Sequence, residues 1–288
     1  MTFAIFADKL STLKTQPPLI NLNHIMIKKL LKYLAVTLSF ISIASVSAAQ
    51  TRVIKIANPK MTVFLPPKGL ESGKALIALP GGGYSHLAVN HEGFHWAPFF
   101  NKEGLAYAVL EYSMPKSNPS VPMKDVEAAF KIMADSAASW GFRPDSIGIM
   151  GSSAGGHLAS TVATHPTEIC RPAFQILFYP VISMDPQITH KGSRKGFIGE
   201  NPTDELEKTY SSELQVSSST PRAIMLLSSD DKTVPPANSL RYYESLINAG
   251  VPASIHIYPT GGHGWGYRNT FKYHQNALDE ISAWLTSF

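Results

Sequence analysis

One cysteine, Cys170, is all that the 288-residue chain contains. An internal disulfide is therefore excluded, stability outside a reducing compartment has to come from packing, and the thiol itself reads as buried apolar filler. Charge is scarce as well. Asp, Glu, Lys and Arg make up 16% of the residues and the formal net charge is +4. That small excess sits at the start, where residues 1 to 49 hold five lysines (Lys9, Lys14, Lys28, Lys29, Lys32) against one aspartate, Asp8. Beyond residue 49 the 25 basic and 21 acidic side chains of the whole chain fall to 20 of each. A neutral body offers no basic patch for nucleic acid or an anionic membrane surface, so neither is expected as a partner. Long apolar runs are missing too. Leu34 to Val46 covers 13 residues interrupted by Thr37, Ser39, Ser42 and Ser45, whereas a bilayer-spanning helix takes about 20.

What residues 1 to 49 do have is the order of an export signal: the basic Met26-Ile27-Lys28-Lys29-Leu30-Leu31-Lys32, the apolar stretch just named, and small residues at Val46-Ser47-Ala48-Ala49. They read as a secretory signal peptide with Met26 as the candidate true start, which predicts an exported, periplasmic or secreted product with no stable membrane insertion after cleavage. No cysteine lies at the cleavage point to take a lipid. Residues 50 to 288, about 239 in number, suit a single α/β catalytic domain.

In that body, short apolar runs alternate with stretches of helical period. The runs are Arg52 to Ile56, Met61 to Leu65, Ala75 to Leu79, Ala106 to Tyr112, Ser146 to Met150, Phe174 to Tyr179, Ala223 to Leu227 and Ser254 to Tyr258. Between them Val126, Phe130, Met133, Ala137 and Trp140 recur at steps of four and three, as do Leu240, Tyr243 and Ile247 before a stop at Gly250. A last helix carries Ala277, Ile281, Trp284 and Leu285 on one core-facing side. The alternation predicts an α/β fold, a mostly parallel central sheet flanked by helices on both faces, without a large lid domain. Ser183 to Ser219, rich in Pro and Gly, is expected as a loop-rich excursion over the carboxyl edge of the sheet.

Chemistry concentrates at Gly151-Ser152-Ser153-Ala154-Gly155, between an apolar run and a helix-like stretch. A strand turning sharply into a helix holds its central serine strained and exposed, and glycine two residues to either side lets backbone come close. Ser153 is thus the candidate nucleophile. A hydroxyl needs a base, a carboxylate to orient the base, and donors for the oxyanion. His263, in the glycine-rich Thr260 to Gly266 after the last run, is the candidate base. Asp231, three residues before Val234-Pro235, is the candidate acid, with Asp230 beside it expected to bond the loop backbone. Along the chain the three come in the order Ser, Asp, His. Leu79-Pro80-Gly81-Gly82-Gly83-Tyr84 offers bare backbone after an early run, so the amides of Gly82, Gly83 and Ala154 are the candidate oxyanion hole. His157, one helical turn after Ser153, reads as hydrogen-bonded support under the elbow. No metal-ligand spacing and no phosphate-binding G-x-x-x-x-G-K-[ST] is present, so no metal and no cofactor are expected.

These motifs, together with His91-Glu92-Gly93, Val109-Leu110-Glu111-Tyr112, His190-Lys191-Gly192-Ser193-Arg194 and Gly262-His263-Gly264-Trp265, make Arg52 to Phe288 resemble the α/β-hydrolase esterases. The resemblance is closest to the secreted bacterial acetyl-xylan and carbohydrate esterases akin to the hormone-sensitive-lipase branch. It implies hydrolysis of short acyl esters, acetyl above all, on xylan or xylo-oligosaccharides through a Ser-His-Asp acyl-enzyme. The substrate is then a small-molecule or oligosaccharide ester. Tyr84 and Trp265, flanking the motifs, are the candidates for stacking on a sugar ring, with plain packing as the alternative. One departure is Pro80, where lipase-like members carry His before the glycines. A prolyl-oligopeptidase-like exopeptidase and a non-catalytic glycan-binding homologue are the alternative readings. The first would ordinarily add a gating domain, for which the expected domain leaves no room.

Overall fold

The computed structural model describes residues 51–288. The expected leader, residues 1 to 49, and the candidate start at Met26 lie outside the described residues. Eight strands form one sheet: β1 (Arg52–Ile56), β2 (Met61–Leu65), β3 (Gly73–Leu79), β4 (Ala106–Leu110), β5 (Phe142–Ser152), β6 (Phe174–Phe178), β7 (Arg222–Ser228) and β8 (Ala253–Tyr258). Their spatial order is β1-β2-β4-β3-β5-β6-β7-β8. The β1–β2 and β2–β4 pairs are antiparallel and all later pairs parallel.

Seven α-helices cover the sheet: α1 (Ala97–Lys102), α2 (Ser120–Trp140), α3 (Ala154–Thr164), α4 (Lys191–Ile198), α5 (Asp204–Thr209), α6 (Ala237–Asn248) and α7 (His274–Leu285). Side chains of a strand alternate between faces, and β3 shows what this does to the core. Ala75, Ile77 and Leu79 pack in one apolar cluster with Val126, Phe130 and Met133 of α2, Leu158 of α3 and Leu246 of α6. Leu76 and Ala78 join a second cluster with Phe99 and Phe100 of α1 and Ile281 and Leu285 of α7. Strands buried on both faces read as continuous apolar runs, which is why the expected mostly parallel sheet was visible in the sequence.

Strand order reverses between β3 and β5. From β3 the chain moves outward to β4, then returns to pair β5 on the other side of β3 and continues toward β8. The carboxyl ends of β3 and β5, paired through Leu79 and Gly151, therefore part their loops over a crevice, the place where open α/β sheets take their ligands. The loop Gly81–Gly83 follows β3 and Ser153 follows β5, so the topology alone brings both to one spot.

More than half of Ser183 to Ser219 lies outside any helix, but the segment also holds α4, α5 and a 3-10 turn at Ser212–Leu214 that the sequence pattern did not show. The helix starts are locally capped, α4 by the His190 ring accepting from the Ser193 N–H and α5 by Thr203 accepting from the Leu206 N–H. Their shortness hid them. The strand expected to reach Tyr179 ends at Phe178, because Tyr179 turns away with φ 34°. Among the described residues no helix is long and apolar enough to cross a membrane.

Candidate active site

Ser153 occupies φ 53°, ψ −120° between β5 and α3, a conformation that costs a non-glycine residue roughly 1–3 kcal/mol and persists only where surroundings enforce it. The enforcement is visible. A Cβ on Gly151 would lie 2.2 Å from Gly155 O, and one on Gly155 would lie 2.0 Å from Leu79 O, so both positions admit only hydrogen. The Ser153 N–H donates to Phe178 O (3.0 Å), and Ser153 O accepts from the N–H groups of His157 (3.1 Å) and Val181 (3.0 Å).

His263 follows β8 on a loop whose glycines supply the left-handed backbone, Gly262 at φ 60° and Gly264 at φ 77°. The adjacent aspartates divide the loop between them. Asp230 accepts from the Gly262 N–H (2.8 Å) and the Gly261 N–H (3.3 Å), fixing the backbone. Asp231, 5% exposed, spends Oδ1 on the N–H groups of Thr233 (2.9 Å) and Val234 (3.0 Å) and turns Oδ2 to His263 Nδ1 at 2.6 Å. A carboxylate only accepts, so Nδ1 carries the proton and Nε2 presents its lone pair. That Nε2 lies 2.8 Å from Ser153 Oγ. An imidazole held in this tautomer can take the hydroxyl proton as the oxygen attacks, and the carboxylate then faces the imidazolium that forms.

A family model described as the prolyl oligopeptidase family matches residues 111–287. The chain belongs to this family. The matched span includes Ser153, Asp231 and His263 and begins after Gly81–Gly83. An acetylxylan esterase of Xylanibacter ruminicola is 43% identical over 232 residues, 79% of this chain and 48% of that protein, so the chain spans about half the length of that relative. The solved acetyl ester-xyloside bifunctional hydrolase of Caldicellulosiruptor lactoaceticus superposes with a TM-score of 0.73 at 35% identity, covering 80% of this chain and 89% of that one. An alpha/beta hydrolase enzyme from a deep-sea metagenome library shares the fold at TM-score 0.63 and 24% identity, over 83% of this chain and 95% of that one.

Ser153 opens into a cavity of about 540 Å³ whose walls include Gly82, Gly83, His190, His263 and Arg268. Gly82 (φ 135°) and Gly83 (φ 63°) carry the chain through conformations side chains rarely adopt, and a Cβ on Gly82 would meet His86 O at 2.1 Å. Ala154 opens α3, where first-turn N–H groups have no acceptor within the helix and the dipole favours negative charge. Gly82 and Gly83 thus line the same cavity as Ser153, and Ala154 follows Ser153 in the chain. The Gly81 N–H is engaged elsewhere, donating to Glu92 Oε2 at 2.7 Å.

Glu92 is a residue that motif reasoning passed over as part of a resemblance. Its buried carboxylate also accepts from Tyr179 OH (2.8 Å), and that phenol oxygen accepts the Gly266 N–H (2.8 Å). The chain Gly81–Glu92–Tyr179–Gly266 joins the glycine loop after β3 to the loop carrying His263, and the Tyr179 ring stands edge-on to the imidazole with centroids 4.8 Å apart. His190, on the cavity wall and bonded to Ser193 Oγ (2.8 Å), was likewise unassigned. Burial, and then the charge of nearby His263, lower its pKa. Both lie in motifs that carry the resemblance, but neither motif by itself points to a place in the site.

Tyr84 and Trp265 do not line the cavity. Tyr84 is 4% exposed, stacked on Phe197 with centroids 4.8 Å apart, and its OH bonds His157 Nδ1 at 2.9 Å. Trp265 is 4% exposed, stacked on Phe271 at 4.1 Å, and donates Nε1–H to Ser228 Oγ. Both rings brace loops from below, the packing alternative. His157 lies under the elbow, fully buried, with Nε2 against Tyr210 O at 2.8 Å.

Proposed function

We propose that this chain is a serine esterase that hydrolyses short acyl esters, acetyl foremost, on plant-polysaccharide sugars such as xylan or xylo-oligosaccharides, and that it acts after export to the periplasm or beyond. The observation that carries the chemistry is the unbroken line Ser153 Oγ, His263 Nε2, His263 Nδ1, Asp231 Oδ2 at the edge of an open cavity. The acyl and sugar assignment is supported by the likeness to the Xylanibacter acetylxylan esterase and the Caldicellulosiruptor hydrolase. Export rests on the leader pattern of residues 26 to 49.

In this reading Ser153 Oγ attacks the ester carbonyl while His263 Nε2 takes its proton. The amides of Gly82, Gly83 and Ala154 receive the oxyanion. His263 returns the proton to the departing sugar hydroxyl, leaving an acyl-serine. Water, deprotonated by the same imidazole, then releases the acid and restores the serine.

Ser153→Ala is expected to reduce turnover of acetylated xylo-oligosaccharides and of p-nitrophenyl acetate by about 10³-fold or more; near-normal turnover would overturn the reading. The family match favours a second reading, a peptidase, and aminoacyl-amide turnover exceeding ester turnover would establish it. Failure of a fluorophosphonate to label Ser153 would point instead to the non-catalytic glycan-binding homologue.

A further inference from the structure

A second hollow, of about 730 Å³, adjoins the first, and His91 and Arg268 belong to the walls of both. The two hollows thus share a wall and are taken together as a trough, with Ser153 lining its near part. Phe94 and Tyr267, both half-buried, give the far part apolar ring surface, and Asn90 and Asn269 give it exposed amides. The Tyr267 ring is braced edge-on by Trp96 (4.9 Å) and His274 (4.9 Å). Aromatic faces with hydrogen-bonding amides suit a sugar, which is apolar on its C–H faces and polar around its rim.

Arg268 gives the trough its charge. Its Nη2 donates to His91 Nε2 at 3.2 Å, and among the described residues its guanidinium pairs with no carboxylate. An imidazole accepting that bond is neutral and supplies no countercharge of its own. The nearby carboxylates are committed, Glu92 to Gly81 and Tyr179, Asp231 to His263, Thr233 and Val234. The wall between the hollows thus holds an exposed planar fork of N–H donors with a full positive charge and no carboxylate in direct contact, the nearest being Glu92 on the far side of His91 at 3.9 Å from its Nε2, and such a fork is the chemistry that selects a carboxylate.

We propose that the second hollow is a subsite for a uronic-acid residue of the glycan, its carboxylate held by Arg268 while a neighbouring acylated sugar lies at Ser153. This rests on the esterase reading and narrows its substrate to acidic, uronosyl-bearing oligosaccharides. An anionic sugar then gains from the charge during both encounter and residence.

The test compares matched acetylated xylo-oligosaccharides with and without a uronosyl branch, using wild type, Arg268→Gln and Arg268→Lys, with thermal melts to verify folding. Wild type is expected to prefer the uronosyl-bearing substrate by about tenfold in kcat/KM, mainly through KM, and to lose that preference as salt is raised to about 1 M. Arg268→Gln erases the preference, and Arg268→Lys restores part of it because the charge returns without the fork. A wild type with no preference, or a preference that survives Arg268→Gln, overturns the subsite. So does an equal loss on both substrates and on p-nitrophenyl acetate, which would show Arg268 acting through His91 and the loops. If wild type cleaves no acetyl ester at all, the esterase reading has failed; cleavage of p-nitrophenyl acetate without a uronosyl preference sinks the subsite alone.

Discussion

Asp230 and Asp231 are neighbours in the chain and do different work. Asp231 is buried and aimed at the His263 ring; Asp230 is exposed and grips the backbone N–H groups one and two residues before that ring. Replacing the first removes the group that fixes the imidazole tautomer, so Asp231→Asn is expected to lower kcat by about 10³–10⁴-fold with little change in KM. Replacing the second leaves the tautomer intact and loosens only its aim, so Asp230→Ala is expected to cost about tenfold. Steady-state kinetics on a short-chain nitrophenyl ester checks both, and equal losses would mean that the division of labour is wrong. Ser153, His263 and the glycines were legible because their chemistry imposes local spacing. Glu92 and Tyr179 were not, since a strut between two loops leaves no pattern in either. Tyr84 and Trp265 show the converse: adjacency to a motif says nothing about which way a ring points.

The strands and the long helices were readable as elements because burial on both faces, or on one stripe, leaves a period. α2 is the clearest case, with Val126, Ala129, Phe130, Met133 and Ala137 all buried against the sheet. Phe130→Ala there opens a void among Ile and Leu side chains and is expected to cost about 3–5 kcal/mol in urea unfolding, leaving kcat of the folded protein within twofold. α1 and α4 went unseen for physical reasons. α1 has six residues and Pro98 near its start, and α4 has eight with Gly192 and Gly196 inside, too few turns to show a stripe. α4 nonetheless matters to the cleft, since its cap residue is His190.

At the level of the folded domain, His157 ties stability to acidity. Its ring must accept from Tyr84 OH and donate to Tyr210 O at once, which only neutral imidazole can do, and burial pushes its pKa down to about 4. Above about pH 6.5 both folded and unfolded states hold it neutral and it contributes no slope. Between about 6.5 and 4 the unfolded chain binds a proton that the native fold refuses, so stability declines as pH falls; below about 4 the native state takes the proton too and this slope ends. The urea midpoint is expected to drop across that window, and His157→Gln, though less stable at neutral pH, should show a flatter profile there. A wild-type profile with the same slope as the variant would remove His157 from the account.

The line of bonds from Gly81 through Glu92 and Tyr179 to Gly266 has a larger meaning for how this cleft can change. Loops from opposite halves of the sheet, some 180 residues apart in the chain, are fastened to a common rod beneath the floor. The glycine loop and the loop that carries His263, which in the proposed reaction receive negative charge and ferry the proton, consequently keep one alignment, and drift in either is transmitted to its counterpart. Diversification in such a molecule is channelled outward to the trough rim, where exposed side chains such as Asn90 and Asn269 make no bond to the rod and can be exchanged without disturbing it.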